Sequence, residues 1–241
     1  MTQERFRLDI YRPEIGCAGL LLVVLTLCIL PYLFVGAMEA ALAKLHLWSP
    51  VAVLCVFGIF AGSLINIPVR RLKRDTEQLV LVRGWHSWLN QLPMVQRQQT
   101  ETILAVNVGG CVIPVLLALF ELLVVFLYGR QAAWAVLVAT LVNIGVCYFV
   151  ARPIAGLGIA MPALVPPTVA VISSWILLAG PQYNAVRAPV AFIAGVGGPL
   201  IGADLLHLRD ITRISVGVLS IGGAGTFDGI VLSGMMAALL A

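Results

Sequence analysis

Residues 102–128 read TILAVNVGGCVIPVLLALFELLVVFLY, and Glu121 is the one charged side chain among them. A bilayer span needs about 20 predominantly apolar residues, and this stretch exceeds that length. The next stretch, 131–150, repeats the pattern with no charge at all. Long apolar runs of this kind mark membrane helices rather than the core of a soluble domain.

Composition extends the reading to the whole chain. Apolar residues make up 61% and charged residues 11%, against roughly 25% charged in soluble domains, so too few charges exist to coat a soluble exterior. The expected fold is all-α: a polytopic transmembrane helical bundle of about seven spans, forming one integral membrane domain over residues 1–241. The net charge of +4 is not a nucleic-acid footprint, and no nucleic-acid partner is expected. Cys17, Cys28, Cys55, Cys111 and Cys147 lie apart with no C-x-x-C spacing and read as small buried hydrophobes. His46, His86 and His207 form no zinc motif. With no phosphate loop or haem motif either, no metal and no cofactor are expected.

Arg5, Arg7 and Arg12 precede the first apolar run, and Ala41-Leu42-Ala43 resembles a signal-peptidase site. The run over 15–38 is longer than the ~7–15-residue core of a signal peptide, so it reads as a retained first helix. Further spans are expected over 50–68, with Ser49 as N-cap and Pro50 at the first helical position, over 102–128 and over 131–150. The C-terminal third is expected to be broken. Residues 151–167 (ARPIAGLGIAMPALVPP) are crowded with Gly and Pro, a short helix follows over 167–178, and a sixth span covers 188–206. Residues 211–221 show partial period-two alternation, then Gly222, Gly223 and Gly225 intervene, and Thr226 is a good N-cap for a last helix to Ala241. Gly198 and Gly202, spaced i,i+4, suit close packing of span six on a neighbour.

Lysine and arginine placement sets the orientation. With the N-terminus in the cytoplasm, Arg5, Arg7, Arg12, Arg70, Arg71, Lys73, Arg74, Arg83, Arg97, Arg152, Arg209 and Arg213 fall inside, against Lys44, Arg130 and Arg187 outside. The C-terminus then lies outside. Residues 69–101 form a cytoplasmic basic loop whose Trp85, Trp88 and Leu89 suit the membrane surface. Its run Arg70-Arg71-Leu72-Lys73-Arg74 is an ordinary topology signal. Arg70, Arg71, Lys73 and Arg74 are also candidates to hold anionic lipid headgroups, at roughly 1 kcal/mol apiece.

Acids inside the apolar zone carry more information, because a carboxylate at the bilayer centre costs roughly 2.5–3.5 kcal/mol and calls for a partner or a role. Glu39 is expected at the interface. Glu121 is deeper and is expected to pair with Arg130 or to face a cavity. Asp204 lies near the cytoplasmic end of span six. If the last helix starts at Thr226, Asp228 falls in its first turn, where the macrodipole favours a carboxylate, at a depth similar to Asp204. If 214–241 is instead one continuous helix, Asp228 lies near mid-membrane and the aspartates cannot act together.

The stretches Met161-Pro162-Ala163-Leu164-Val165-Pro166-Pro167, Ile201-Gly202-Ala203-Asp204-Leu205-Leu206 and Ser220 through Gly229 together resemble domain-of-unknown-function family 1614 of bacterial and archaeal membrane proteins. That resemblance implies residence in a cytoplasmic membrane and no established activity. A fainter likeness is to intramembrane aspartyl proteases of the presenilin and signal-peptide-peptidase type, which carry two helix-borne aspartates, a Gly-x-Gly-Asp motif and a Pro-Ala-Leu motif. Here Pro162-Ala163-Leu164 precedes both aspartates, and Gly223-Ala224-Gly225 stands two residues short of Asp228.

Three function classes stay open. A membrane-embedded di-aspartyl hydrolase would use Asp204 and Asp228 as catalytic acid and base, with Pro162, Ala163, Leu164, Gly223, Gly225 and Thr226 holding substrate. A small transporter or ion pathway would use 151–167 and 211–226 as unwound segments. A non-catalytic scaffold or assembly factor would use the glycines for packing. The oligomeric state is not readable.

Overall fold

The computed structural model describes residues 17–80, 94–154, 158–210, 217–223 and 228–241. The chain divides into two units, Met1–Gly36 and Ala37–Ala241. The described part of the first is the N-terminal stretch of α1 (Cys17–Ala43); everything below concerns the second. Its further helices are α2 (Ser49–Gly62), α3 (Ile113–Tyr128), α4 (Arg130–Val150), α5 (Val165–Leu177), α6 (Asn184–Gly197) and α7 (Gly229–Leu240). Two π-helical pieces, Val108–Val112 and Gly198–Leu205, lead into α3 and continue α6.

Among the described residues, three stretches are long and apolar enough to cross a membrane: Val108–Tyr128, Arg130–Val150 and Pro181–Asp210. Ser49–Gly62, Val165–Leu177 and Gly229–Leu240 are apolar but shorter, and the Tyr32–Ala43 part of α1 is apolar too. The protein is thus mostly helical, with apolar helices that fit an integral membrane protein. Among the described residues, three helices meet both length and apolarity where about seven spans were expected; α1, at 27 residues, is as long.

Helix α6 is the axis of the bundle. Every residue from Val186 to Val196 is buried, and α3, α4, α5 and α7 all pack on it. A helix covered on all sides needs small residues where a neighbour comes close. A Cβ on Gly195 would lie 2.8 Å from Ser233 O of α7. A Cβ on Gly202 would lie 2.3 Å from Ile144 O of α4, and one on Gly198 would meet Asn143 at 2.5 Å. The glycine pair of span six therefore faces α4. Asn143 is fully buried and donates through Nδ2 to Ala194 O at 2.8 Å. Arg187, also buried, lies 4.1 Å over the ring of Trp175 and donates through Nη2 to Leu178 O and Gly180 O just past α5. The positive charge complements the carbonyl end of that helix.

The all-α expectation is corrected by five strands. β1 (Asn66–Val80) and β2 (Met94–Asn107) pair antiparallel, β5 (Gly217–Ile221) joins β2 in parallel, and β3 (Arg152–Ile154) pairs with β4 (Gly158–Ala160). The sheet order β1-β2-β5 leaves edge donors and acceptors that hydrocarbon cannot satisfy, so this sheet extends beyond the apolar part of the bundle. At about 3.4 Å per residue, β1 spans roughly 50 Å. The basic stretch 69–101 is thus a long hairpin where an open loop was expected, with its tip, including Arg83, Trp85, Trp88 and Leu89, outside the described residues. The second helix ends at Gly62 rather than near 68, and 102–107 is strand rather than the start of span three. Thr102–Asn107 is apolar enough for either, and pairing with β1 and β5 decides the matter. Of the alternating stretch 211–221, residues 217–221 form β5 and 211–216 lie outside the described residues.

Where the sheet meets the helices, backbone touches backbone. A Cβ on Gly109 would fall 2.0 Å from Ile59 O, and one on Gly110 would fall 2.0 Å from Gly222 O. Gly222 itself has φ +70°, a conformation glycine adopts without steric cost. Asn107 locks this junction: fully buried, it donates to Ser63 O (2.7 Å) and Asn66 Oδ1 (3.1 Å) and accepts from Gly110 N (2.7 Å). Ser220 Oγ donates to the same Asn66 Oδ1, tying β5 in.

Candidate functional site

Between the start of α7, the π-helical end of α6 and the turn before α5 lies a cavity of about 190 Å³. Each wall follows from a local break in helix chemistry. Pro199 has no N–H for the carbonyl four residues back, and from Gly198 the helix widens to π form through Leu205. Such widenings recur at functional sites, and this one carries Asp204. On the facing wall the polypeptide restarts as α7 at Gly229, with Asp228 as N-cap: its Oδ2 accepts from Ile230 N at 3.0 Å. The N-cap is two residues later than the expected Thr226, so Asp228 caps the helix instead of sitting in its first turn. The alternative of one helix over 214–241 is excluded, since β5 and a turn at Gly222 precede α7. The third wall comes from Met161, Ala163 and Pro166.

Asp204 and Asp228, both half-buried, line this one cavity, and the rest of its lining is apolar apart from main chain. Each carboxylate lies within electrostatic reach of the other, and Cys111, ahead of α3, within reach of both. Of the substrate-holding residues expected from sequence, Ala163 lines the cavity, whereas Pro162, Leu164 and Gly223 are not among its lining. Gly225 and Thr226 lie outside the described residues. Among the described residues no cluster of three or more His, Cys, Asp or Glu could hold a metal ion.

Glu121 has a partner other than the expected Arg130. It is fully buried, its Oε1 accepts from His46 N at 2.9 Å, and its Oε2 lies 3.0 Å from His46 Nδ1. The pairing joins residues 75 apart in sequence, so no local motif announces it. Asn107 and Asn143 likewise carry no motif in the sequence, although Asn107 immediately before Val108-Gly109-Gly110 has the form of an N-cap; Arg187 reads there only as an outer basic residue.

A family model described as Protein of unknown function (DUF1614) matches residues 60–240. The chain belongs to that family. No curated protein and no solved structure matches it. In this DUF1614 chain the match begins within α2 and takes in every residue lining the Asp204–Asp228 cavity.

Proposed function

We propose that this DUF1614 protein is a membrane-embedded di-aspartyl hydrolase. One observation carries the reading: Asp204 and Asp228, on consecutive helical elements, line the same cavity beside Ala163. Two carboxylates facing one small space separate into an acid and a base, because like charges at short range do not both ionise freely. Asp228 suits the base, since its Oδ2 already accepts an amide hydrogen at the positive end of α7. Asp204 then supplies the proton. Asp228 takes a proton from water as the hydroxide equivalent adds to a substrate carbonyl and Asp204 protonates the carbonyl oxygen; Asp228 then passes its proton to the leaving group while Asp204 recovers one from the gem-diol. At roughly 30 Å³ per water, the cavity has room for several, and the scissile group would enter from the membrane side with Ala163 and its neighbours Pro162 and Leu164 supporting it. The likeness to presenilin-type proteases adds the substrate class, a membrane-borne peptide.

The same reading takes α1 to α7 as seven crossings. Where the shorter helices stop short of the bilayer surface, turn segments buried against neighbouring helices complete the crossing. The N-terminus and the β1–β2 hairpin lie in the cytoplasm, where Arg70, Arg71, Lys73 and Arg74 would meet anionic headgroups. The test is turnover of a quenched fluorescent transmembrane peptide by purified protein in liposomes. Wild type should cleave and Asp204→Asn should lose at least ~10³-fold in rate; equal turnover by both rejects the hydrolase.

A second reading, an ion or small-solute pathway, is favoured by α7 itself. Its 12 residues span about 18 Å, well short of the ~30 Å hydrocarbon, as expected of a discontinuous helix at a binding site. Asp204-dependent proton or sodium flux in proteoliposomes, without peptide cleavage, would establish it.

A further inference from the structure

The strongest feature outside the aspartate cavity lies at the opposite end of the bundle, where Lys44 donates to Leu239 O at 2.6 Å. Helices α2 and α3 run side by side in opposite directions. Gly62 abuts Gly109, Gly58 lies against Ile113, and His46, just before α2, meets Glu121. From Glu121, α3 continues to Tyr128, about 10 Å farther along its axis. The α1–α2 loop is therefore set back by that distance, a polar turn at a depth where the neighbouring helix is still apolar. Its backbone and imidazole are satisfied there by a fully buried carboxylate. The Glu121 carboxylate fixes the hydrogen on Nδ1 and leaves Nε2 for another partner, the arrangement by which a carboxylate orients a functional imidazole.

His46 also lines a groove of about 610 Å³ between α2 and α3. Its walls include Val51, Leu54, Leu116 and Phe120, with Trp48 at the shallow end. Leu54 (68% exposed) and Leu116 (59%) stand on the outward face of the bundle, so in a membrane the groove opens sideways into the acyl layer. An α-helix, ~10–12 Å across with its side chains, overfills such a space. A single extended hydrocarbon chain, much narrower than a helix, suits this apolar slot. The polar end matches a headgroup. Lys44, two residues before His46 in the same turn, has three N–H donors and uses one on Leu239 O. His46 offers Nε2, the ring nitrogen that Glu121 does not engage, as a second polar contact beside Lys44. Trp48, 76% exposed, belongs at the same interface, where an indole has one apolar and one wet end.

We propose that the groove between α2 and α3 holds one acyl chain of a phospholipid, with the headgroup phosphate at Lys44 and His46. The inference is independent of the Asp204–Asp228 reading. Full-length protein, stripped of lipid in detergent, is titrated with palmitoyl-oleoyl phosphatidylglycerol and followed by native mass spectrometry. Wild type should retain one lipid, and Leu116→Trp, which fills the groove from its exposed wall, should lower its affinity at least tenfold. The double variant Lys44→Gln/His46→Gln should lose about fivefold or more for phosphatidylglycerol and little for diacylglycerol with the same chains. Unchanged retention by Leu116→Trp overturns the groove as the site. Equal binding of both lipids by wild type and double variant overturns the headgroup assignment. Circular dichroism and size exclusion check each variant's fold; Leu54→Phe, on the other wall, replaces Leu116→Trp if that variant misfolds, with the same outcomes.

Discussion

Replacing Asn107 by alanine should be among the most damaging single changes in the chain, although the residue carries no charge and lies outside the aspartate cavity. The side chain is fully buried and makes three hydrogen bonds. Its removal strands the N–H of Gly110, a buried residue wedged against Gly222, at a cost of about 1–3 kcal/mol. Ser63 O, half-buried, loses its Asn107 donor for about another 1 kcal/mol, and Asn66 Oδ1 keeps Ser220 as a donor, so that loss is about 0.5–1.5 kcal/mol. The sum is about 3–5 kcal/mol, a factor of roughly 10²–10⁴ in the folding equilibrium. Equilibrium unfolding in mixed micelles with increasing sodium dodecyl sulfate reads this directly. Asn107→Ser supplies the control: a serine hydroxyl at an N-cap accepts the same kind of amide hydrogen, so it should recover about half the loss. If alanine costs under about 1 kcal/mol, or serine is no better than alanine, the junction does not depend on these bonds.

Asp228→Asn should keep the cap, since asparagine and aspartate cap about equally well. Thermal stability should stay within about 0.5 kcal/mol of wild type while peptide turnover falls, separating Asp228 as a cap from Asp228 as a base. Gly110→Ala places a methyl 2.0 Å from Gly222 O and should cost well over about 3 kcal/mol, seen as loss of the monodisperse peak on size exclusion. Glu121→Gln removes the charge from both bonds to His46 and should cost about 1.5–3 kcal/mol, read as a lowered melting temperature in detergent. Arg187→Met should cost about 2 kcal/mol through Leu178 O and Gly180 O, partly offset because Arg187 Nε, buried without a partner, no longer has to be desolvated; unfolding in mixed micelles measures the balance.

What could be read in advance followed from the range of the interactions. The spans α3 and α4 are legible because hydropathy is local: 113–150 needs no distant partner to be apolar. Asp204 and Asp228 stand out for the same reason, each a charge among apolar neighbours. That they share a cavity rests on two local breaks, Gly198-Pro199 and Gly222-Gly223, of which only the second was read as an interruption. The sheet was hidden because its determinants are remote. Residues 66–80 look like a polar connection, and 102–107 like the beginning of a helix, until each is set against the other in register. The one local strand signal was the alternation in 211–221, and its partner, β2, lies more than a hundred residues earlier. His46 reads as a stray imidazole in the sequence because its carboxylate comes from another helix.

The place of β1 in its sheet gives the basic run a consequence apart from lipid or topology. β1 is an outermost strand, and an outermost strand offers unsatisfied main-chain groups to any matching strand that drifts past. Arg70, Arg71, Lys73 and Arg74 all fall within it. Two copies of the hairpin meeting rim to rim would bring those cations together with no acid between 66 and 74 to neutralise them. In a register that sets 70–74 against itself the cations repel, so neutralising these four residues should ease rim-to-rim pairing of two hairpins.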